Sequence, residues 1–174
     1  MLKITLMMVI TTDGFIAKNA GQPSIEWTSN ADKQIFVEKT KMAGVIIMGN
    51  STFKTINRPL PGRLIKVLTR TPENFENIEG QVEYTNNQPE ELLKELEDKG
   101  FSEAVLAGGT EVNSLFLNQG LVDELLITIE PILFGGGLTL FKDLDLDIKL
   151  ELMEYKDLGN SVINLKYKVI STPL

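Results

Sequence analysis

The sequence predicts an α/β fold of three layers: a mostly parallel central sheet, helices on both faces, and an antiparallel hairpin at the C-terminal edge. Three observations predict it. Short apolar runs alternate with segments of helical character from residue 3 to residue 132, and such alternation builds a parallel sheet through crossover helices. The runs at 3–10 and 45–48 are almost wholly apolar, as expected of strands covered on both faces. Two alternating segments flank Asp157-Leu158-Gly159-Asn160, which is a hairpin signal.

The totals set the bounds. The 174 residues, 43% hydrophobic and 24% charged, fit one globular domain with a sizeable core. There is no cysteine and no histidine. Disulfides, thiolate nucleophiles, Ser-His-Asp triads and ordinary zinc sites are therefore excluded, and no metal is expected. Proton chemistry falls to carboxylates, Lys, Tyr or water. Absence of cysteine fits a reducing cytoplasm. The first residues lack a signal-peptide pattern, and no apolar run has the length of a membrane span. A net charge of −7 argues against nucleic acid or an anionic membrane as partner. A small molecule remains, held by a few local basic residues.

Taken in order, the strand at 3–10 ends at Thr11-Thr12-Asp13-Gly14, a tight turn by residue type. A polar loop covers 19–23. Ser29 with Asp32 resembles a capping box and starts a helix near Asn30 that runs to about Met42. Asp32, Phe36 and Thr40 share one stripe of it. Residue types alone favour a capping, solvent-facing role for that stripe over a pocket wall. The strand at 45–48 stops at Gly49, and Asn50-Ser51-Thr52 opens a short helix. Arg58-Pro59-Leu60-Pro61-Gly62-Arg63 is a stiffened loop, which suits its arginines to carboxylate or phosphate recognition. The strand at 64–68 leads to Thr69-Arg70, at the sheet edge where open α/β folds bind ligands.

A short strand is expected at 82–84. The clearest helix spans 89–99, with Pro89 in its first turn, i,i+4 pairs Glu90–Lys94 and Glu95–Lys99, and Gly100 at its end. A buried strand at 104–106 meets Ala107-Gly108-Gly109, and a helix from Thr110 runs to about Gln119. Glycine there lets backbone N–H groups approach a phosphate at a helix N-terminus. The second such turn, at Gly49 to Thr52, points to a dinucleotide. The strand at 123–132 carries Thr128, whose buried hydroxyl needs a partner. Gly135 to Gly137 allow a bend before the hairpin segments at 149–156 and 161–170.

Several of these segments, in order and over most of the chain, resemble the dihydrofolate reductase superfamily. They are Trp27-x4-Asp32-x3-Phe36-x3-Thr40, Met48-Gly49-x2-Thr52-Phe53, Arg58-Pro-Leu-Pro-Gly-Arg63 with Val67-Leu68-Thr69-Arg70, Ala107-Gly108-Gly109-Thr110-Glu111-Val112, and Leu126-Ile127-Thr128. The resemblance implies a three-layer dihydrofolate-reductase-like fold and NADPH-dependent reduction of 7,8-dihydrofolate to tetrahydrofolate, a reaction of one-carbon metabolism. It implies that Asp32 and Thr128 are catalytic, Asp32 binding the amidine-like edge of the pterin. Trp27, Phe36 and Arg63 would contact the substrate, Arg63 through the α-carboxylate of the glutamate tail. Ala17, Gly49, Asn50, Ser51, Thr52, Ala107, Gly108, Gly109, Thr110, Glu111 and Val112 would line the NADPH groove, with Thr69 and Arg70 at the adenosine 2′-phosphate. The loop from Thr11 to Trp27 would close over the nicotinamide, and a cis peptide is expected near Gly108-Gly109.

Other stretches resemble the related pyrimidine reductases of riboflavin synthesis: Thr12-Asp13-Gly14-Phe15-Ile16-Ala17, Leu121-Val122-Asp123-Glu124-Leu125, and Pro131-Ile132-Leu133-Phe134-Gly135-Gly136-Gly137. Asn50 and Thr110 also stand where many reductases carry basic residues. The alternative is thus reduction of a ribosylaminopyrimidine phosphate, and a third reading is a non-catalytic NADPH-binding module. Asp32 tips the choice to the pterin. The apolar last strands are compatible with a monomer or a homodimer.

Overall fold

The computed structural model describes residues 2–144 and 147–170. In chain order the elements are β1 (Lys3–Thr11), β2 (Phe15–Ala17), α1 (Asn30–Ala43), β3 (Val45–Gly49), α2 (Asn50–Ile56), β4 (Leu64–Leu68) and β5 (Val82–Thr85). They continue with α3 (Pro89–Asp98), β6 (Glu103–Leu106), α4 (Thr110–Asn118), β7 (Glu124–Glu130), β8 (Leu138–Thr139), β9 (Lys149–Asp157) and β10 (Ile163–Ile170). Eight strands form one sheet in the order β5-β4-β3-β6-β1-β7-β10-β9. Pairing is parallel from β5 through β7 and antiparallel where β10 joins β7 and β9.

Alternation along each strand divides the core into two layers. On one side Ile4, Leu6, Ile47 and Leu106 pack with Leu92, Leu96, Phe116 and Leu117 of α3 and α4. On the other, Met7, Ile46, Met48 and Val105 pack with Ala43 and Phe53 of α1 and α2. All five residues of β3 are buried, which explains its unbroken apolar sequence. Among the described residues no helix is long and apolar enough to cross a membrane.

Two elements had no sequence signal. β2 and β8, three and two residues long, pair antiparallel as a separate ribbon. Neither is long enough to show a period, and β8 follows directly on a glycine run. Gly137 makes the ribbon possible: its φ is +146°, and a Cβ there would stand 2.2 Å from the Ala17 carbonyl oxygen. Asp13 also does more than turn the chain. It accepts the Gly135 N–H at 2.7 Å and the Phe134 N–H at 3.1 Å, while the Thr11 hydroxyl donates to it at 2.6 Å. Those bonds, the one from Thr11 foremost, hold its carboxyl below the usual range against the opposing effect of desolvation.

On α3, the Glu95–Lys99 pair forms at 2.8 Å, whereas Glu90 and Lys94 form no ion pair among the described residues. Lys66 of β4, buried beneath the helix, explains the difference. Its ammonium meets Glu95 at 2.7 Å and Glu83 at 2.8 Å, drawing Glu95 and Lys99 into a four-membered network.

Candidate active site

The site is built where α1 begins. Ser29 caps the helix, its Oγ accepting the Asp32 N–H at 3.2 Å. In a reciprocal capping box the acid at this third helical position would accept the Ser29 N–H. Here Glu130, on β7, takes that donor instead, Oε1 lying 2.7 Å from the Ser29 nitrogen. Asp32 is thereby left for another partner, which is Thr128. Thr128 Oγ1 accepts from Asn164 Nδ2 at 3.1 Å, which leaves its own hydroxyl hydrogen for the Asp32 carboxylate.

This corrects the solvent-edge reading of the α1 stripe. Asp32 is 8% exposed and Thr40 fully buried. The cap is real, but Glu130 completes it and Asp32 faces the protein interior. Burial raises the Asp32 carboxyl above its ordinary value; the Thr128 hydrogen bond opposes the rise and the Glu130 charge adds to it.

Two aromatic side chains named by the resemblance are Trp27, on the loop before α1, and Phe36, on α1 itself. Trp27 meets Phe134 edge-on at 5.1 Å, and its indole Nε1 is buried with no partner among the described residues. Phe36 is half-buried one turn beyond Asp32. A further turn on, the Thr40 hydroxyl donates to the Phe36 carbonyl at 2.6 Å and accepts from Arg63 Nη1 at 3.0 Å. Arg63 Nε donates to the Pro61 carbonyl at 3.2 Å. Arg63 is 7% exposed, its guanidinium has no acid partner among the described residues, and burial lowers its pKa. The α1 stripe thus links the Asp32 carboxylate to a buried cation two helical turns away, about 12 Å at the helical rise. A surface depression of about 330 Å³ opens beside Leu60, Pro61, Arg63 and Phe101, and does not reach Asp32.

The glycine turns converge on the other side of the sheet's carboxyl edge. The Gly49 N–H donates to the Gly108 carbonyl at 2.8 Å. A Cβ on Gly49 would lie 3.0 Å from Val112, and one on Gly109 3.2 Å from Thr52 Oγ1. The Gly108–Gly109 peptide is cis, as the resemblance implied. α1 and α3 have polar N-caps, but α2 and α4 begin at Gly49 and Gly109 with no side-chain cap bond. Among the described residues their first N–H groups have no capping side chain, and Asn50 Oδ1 is buried beside them without a partner. Uncapped helix starts, absent Cβ atoms and an orphaned polar atom fit an anionic, phosphate-bearing group.

Ser51 is exposed and Thr52 half-buried at the mouth of this cradle. Thr69 and exposed Arg70 follow β4, whose Leu68 is in register with Gly49. The Thr110 hydroxyl is occupied by the Thr139 carbonyl at 2.6 Å, which draws β8, and Ala17 paired to it, toward α4. Ala107 is buried, Val112 half-buried and Glu111 exposed.

Sequence reasoning missed Glu130, Asn164 and the clasp at Asp13. Glu130 was findable, since it lies two residues after Thr128 on a strand and so shares its face. Asn164 was not, because its role depends on which strand β10 joins.

Comparison with known proteins adds the family. The model of the RibD C-terminal domain matches residues 64–164, and the chain belongs to that family. Its fold is that of dihydrofolate-reductase-like proteins. The uncharacterized Bacillus subtilis protein YwjB is 26% identical over 168 residues, covering 92% of this chain and 94% of that one. A putative riboflavin biosynthesis protein from Shewanella sp. PV-4 superposes with a TM-score of 0.82 at 23% identity, covering 98% of this chain and 100% of the other. Enterococcus faecalis dihydrofolate reductase, solved with NADP(H), gives 0.74 at 24% identity, with 97% of each chain covered.

Proposed function

We propose that the protein is an NADPH-dependent oxidoreductase that reduces 7,8-dihydrofolate. The carrying observation is the α1 stripe: a buried carboxylate, a ring one turn on, and Thr40 one turn further, which meets the buried Arg63, a cation with no acid partner among the described residues. A ligand matching it has a donor-rich heterocycle, an aromatic middle and a distant carboxylate, which describes dihydrofolate. Bound NADPH would supply the hydride. The Gly49–Thr52 and Gly108–Thr110 turns would hold its phosphates, with Arg70 beyond β4 for a 2′-phosphate.

The residues of this chain orient and polarise. Asp32 accepts two N–H bonds from the heterocycle edge, and Thr128, fixed by Asn164, holds the carboxylate in place. Its negative charge raises the basicity of the ring nitrogen that receives the proton, which arrives through water. The ribbon of β2 and β8 limits solvent access.

A second reading, reduction of a ribosylaminopyrimidine phosphate, is favoured by the family match and by the Asp13 clasp, which lies in the stretches that resemble that branch. Arg63 could then meet a phosphate, but a ribose phosphate spans less of the distance from Asp32. The two are separated by following NADPH oxidation with each substrate offered alone. We expect dihydrofolate turnover, and for Asp32→Ala a loss of about 10²–10³-fold with NADPH affinity retained. Turnover of the pyrimidine alone would replace this reading. Near-normal dihydrofolate turnover by Asp32→Ala would remove Asp32 from its role. Turnover of neither, with NADPH still bound, would favour a binding module.

A further inference from the structure

The acid that completes the α1 cap is one the cap does not need. With Ser29 at the N-cap and an acid three residues on, Asp32 could itself accept the Ser29 N–H and close the box. Glu130 takes that donor at 2.7 Å instead, from 101 positions away in sequence. The arrangement is costly. Glu130 is 4% exposed and forms no ion pair among the described residues. A buried carboxylate with one backbone donor and no cation is poorly compensated. Helix capping alone does not account for it, since the acid already at position 32 would serve.

β7 shows what Glu130 faces. Leu126, Thr128 and Glu130 alternate with Ile127 and Ile129, and so line the side of the sheet on which α1 packs. Leu126 packs into the core there, Thr128 bonds to Asp32, and Glu130 ends the strand beside the same carboxylate. The backbone of Glu130 is fixed as well: its carbonyl accepts the Thr12 hydroxyl at 2.9 Å and the Ile132 N–H at 2.8 Å. Its side chain therefore leaves a held strand end and meets the start of α1 at one point. Thr128 and Glu130 of β7 and Lys33 of α1 are the side chains that act on Asp32 among the described residues.

We propose that Glu130 is a positioning residue of this site. It releases Asp32 from the helix cap, ties the start of α1 to β7, and sets a second negative charge beside the carboxylate that receives the ligand. The first two effects turn Asp32 toward Thr128. The third makes the pair of acids favour a ligand edge of N–H donors and oppose one that presents an acceptor. This role rests on the reading of Asp32 as the acceptor for the heterocycle, but the coupling of the two acids is measurable without any ligand.

Glu130→Gln keeps an oxygen for the Ser29 N–H and removes the charge, whereas Glu130→Leu removes both. With carbon-13-labelled aspartate, and Asp32→Asn to identify the resonance, the Asp32 carboxyl of Glu130→Gln should titrate at lower pH than in the wild type. The acidic limb of kcat/KM should move the same way. On the substrate that the wild type reduces, Glu130→Leu should lose about 10²-fold in kcat/KM. Glu130→Gln should recover most of that loss, because the bond to Ser29 returns. An Asp32 titration unmoved in Glu130→Gln overturns the proposal. So does Glu130→Leu at wild-type kcat/KM, or Glu130→Gln no more active than Glu130→Leu. Should Glu130→Leu fail to fold, the titration in Glu130→Gln decides. If the wild type reduces no dihydrofolate while the titration moves, the dihydrofolate reading fails and the coupling of Glu130 to Asp32 stands.

Discussion

Asp32 sets its carboxyl where 8% of the residue's surface meets solvent and a second carboxylate, Glu130, stands close by. Its carboxyl is raised in the folded chain, so between the unfolded and folded values the native state binds the extra proton and stability falls as pH rises. Below both values the effect vanishes. Asp32→Asn keeps the shape and removes the charge. We expect it to raise Tm at neutral pH, to lose that advantage in acid, and to abolish most turnover; thermal melts across pH check the first two. The stripe of Asp32, Phe36 and Thr40 was legible from its spacing. Its burial was not, because Ser29 and Asp32 form a plausible exposed cap by themselves. Only the arrival of Glu130 from β7 reassigns the donor.

Two elements carry their own consequences. The β2–β8 ribbon depends on Gly137, where any Cβ meets the Ala17 carbonyl. Gly137→Ala should detach the ribbon and leave the eight-stranded sheet intact. Limited proteolysis should then cut between residues 132 and 140 faster, with Tm lowered by only a few degrees, about 1 kcal/mol in a domain of this size. Under α3, burial would raise Glu83 and Glu95, but the hydrogen bonds and charges of Lys66 and Lys99 outweigh it and hold both carboxyls low. Their contribution to stability is present above the unfolded carboxylate value and lost as pH falls through the folded one. Lys66→Met keeps the apolar stem and removes the central cation. Urea unfolding should show a loss of about 1–2 kcal/mol near neutrality, since Lys99 still serves both acids, and the loss should shrink in acid. The α3 helix was legible to within a residue, down to its proline start, although of its two expected pairs only Glu95–Lys99 forms among the described residues. The network beneath it was hidden, because a lysine inside an apolar strand says nothing of which acids lie opposite.

For the molecule as a whole, strand and helix order came through because runs such as 45–48 are covered on both faces and leave no doubt of burial. Sheet order did not, since it depends on contacts far apart in sequence. If the glycine cradle takes NADPH, the dinucleotide binds only the folded chain. At a hundred times its dissociation constant it should stabilise by about 2.7 kcal/mol, visible as a rise in Tm that a non-binding chain would lack. The bond from Ser29 to Glu130 spans 101 positions in sequence. Asp32 owes its raised carboxyl to burial and to the Glu130 charge reached from β7, not to its own helix alone. The site is consequently assembled from distant stretches, with Thr128 and Glu130 from β7 and Asn164 from β10. A chain interrupted before β7 would lack Thr128, Glu130 and Asn164, and with them the groups that set the environment of Asp32.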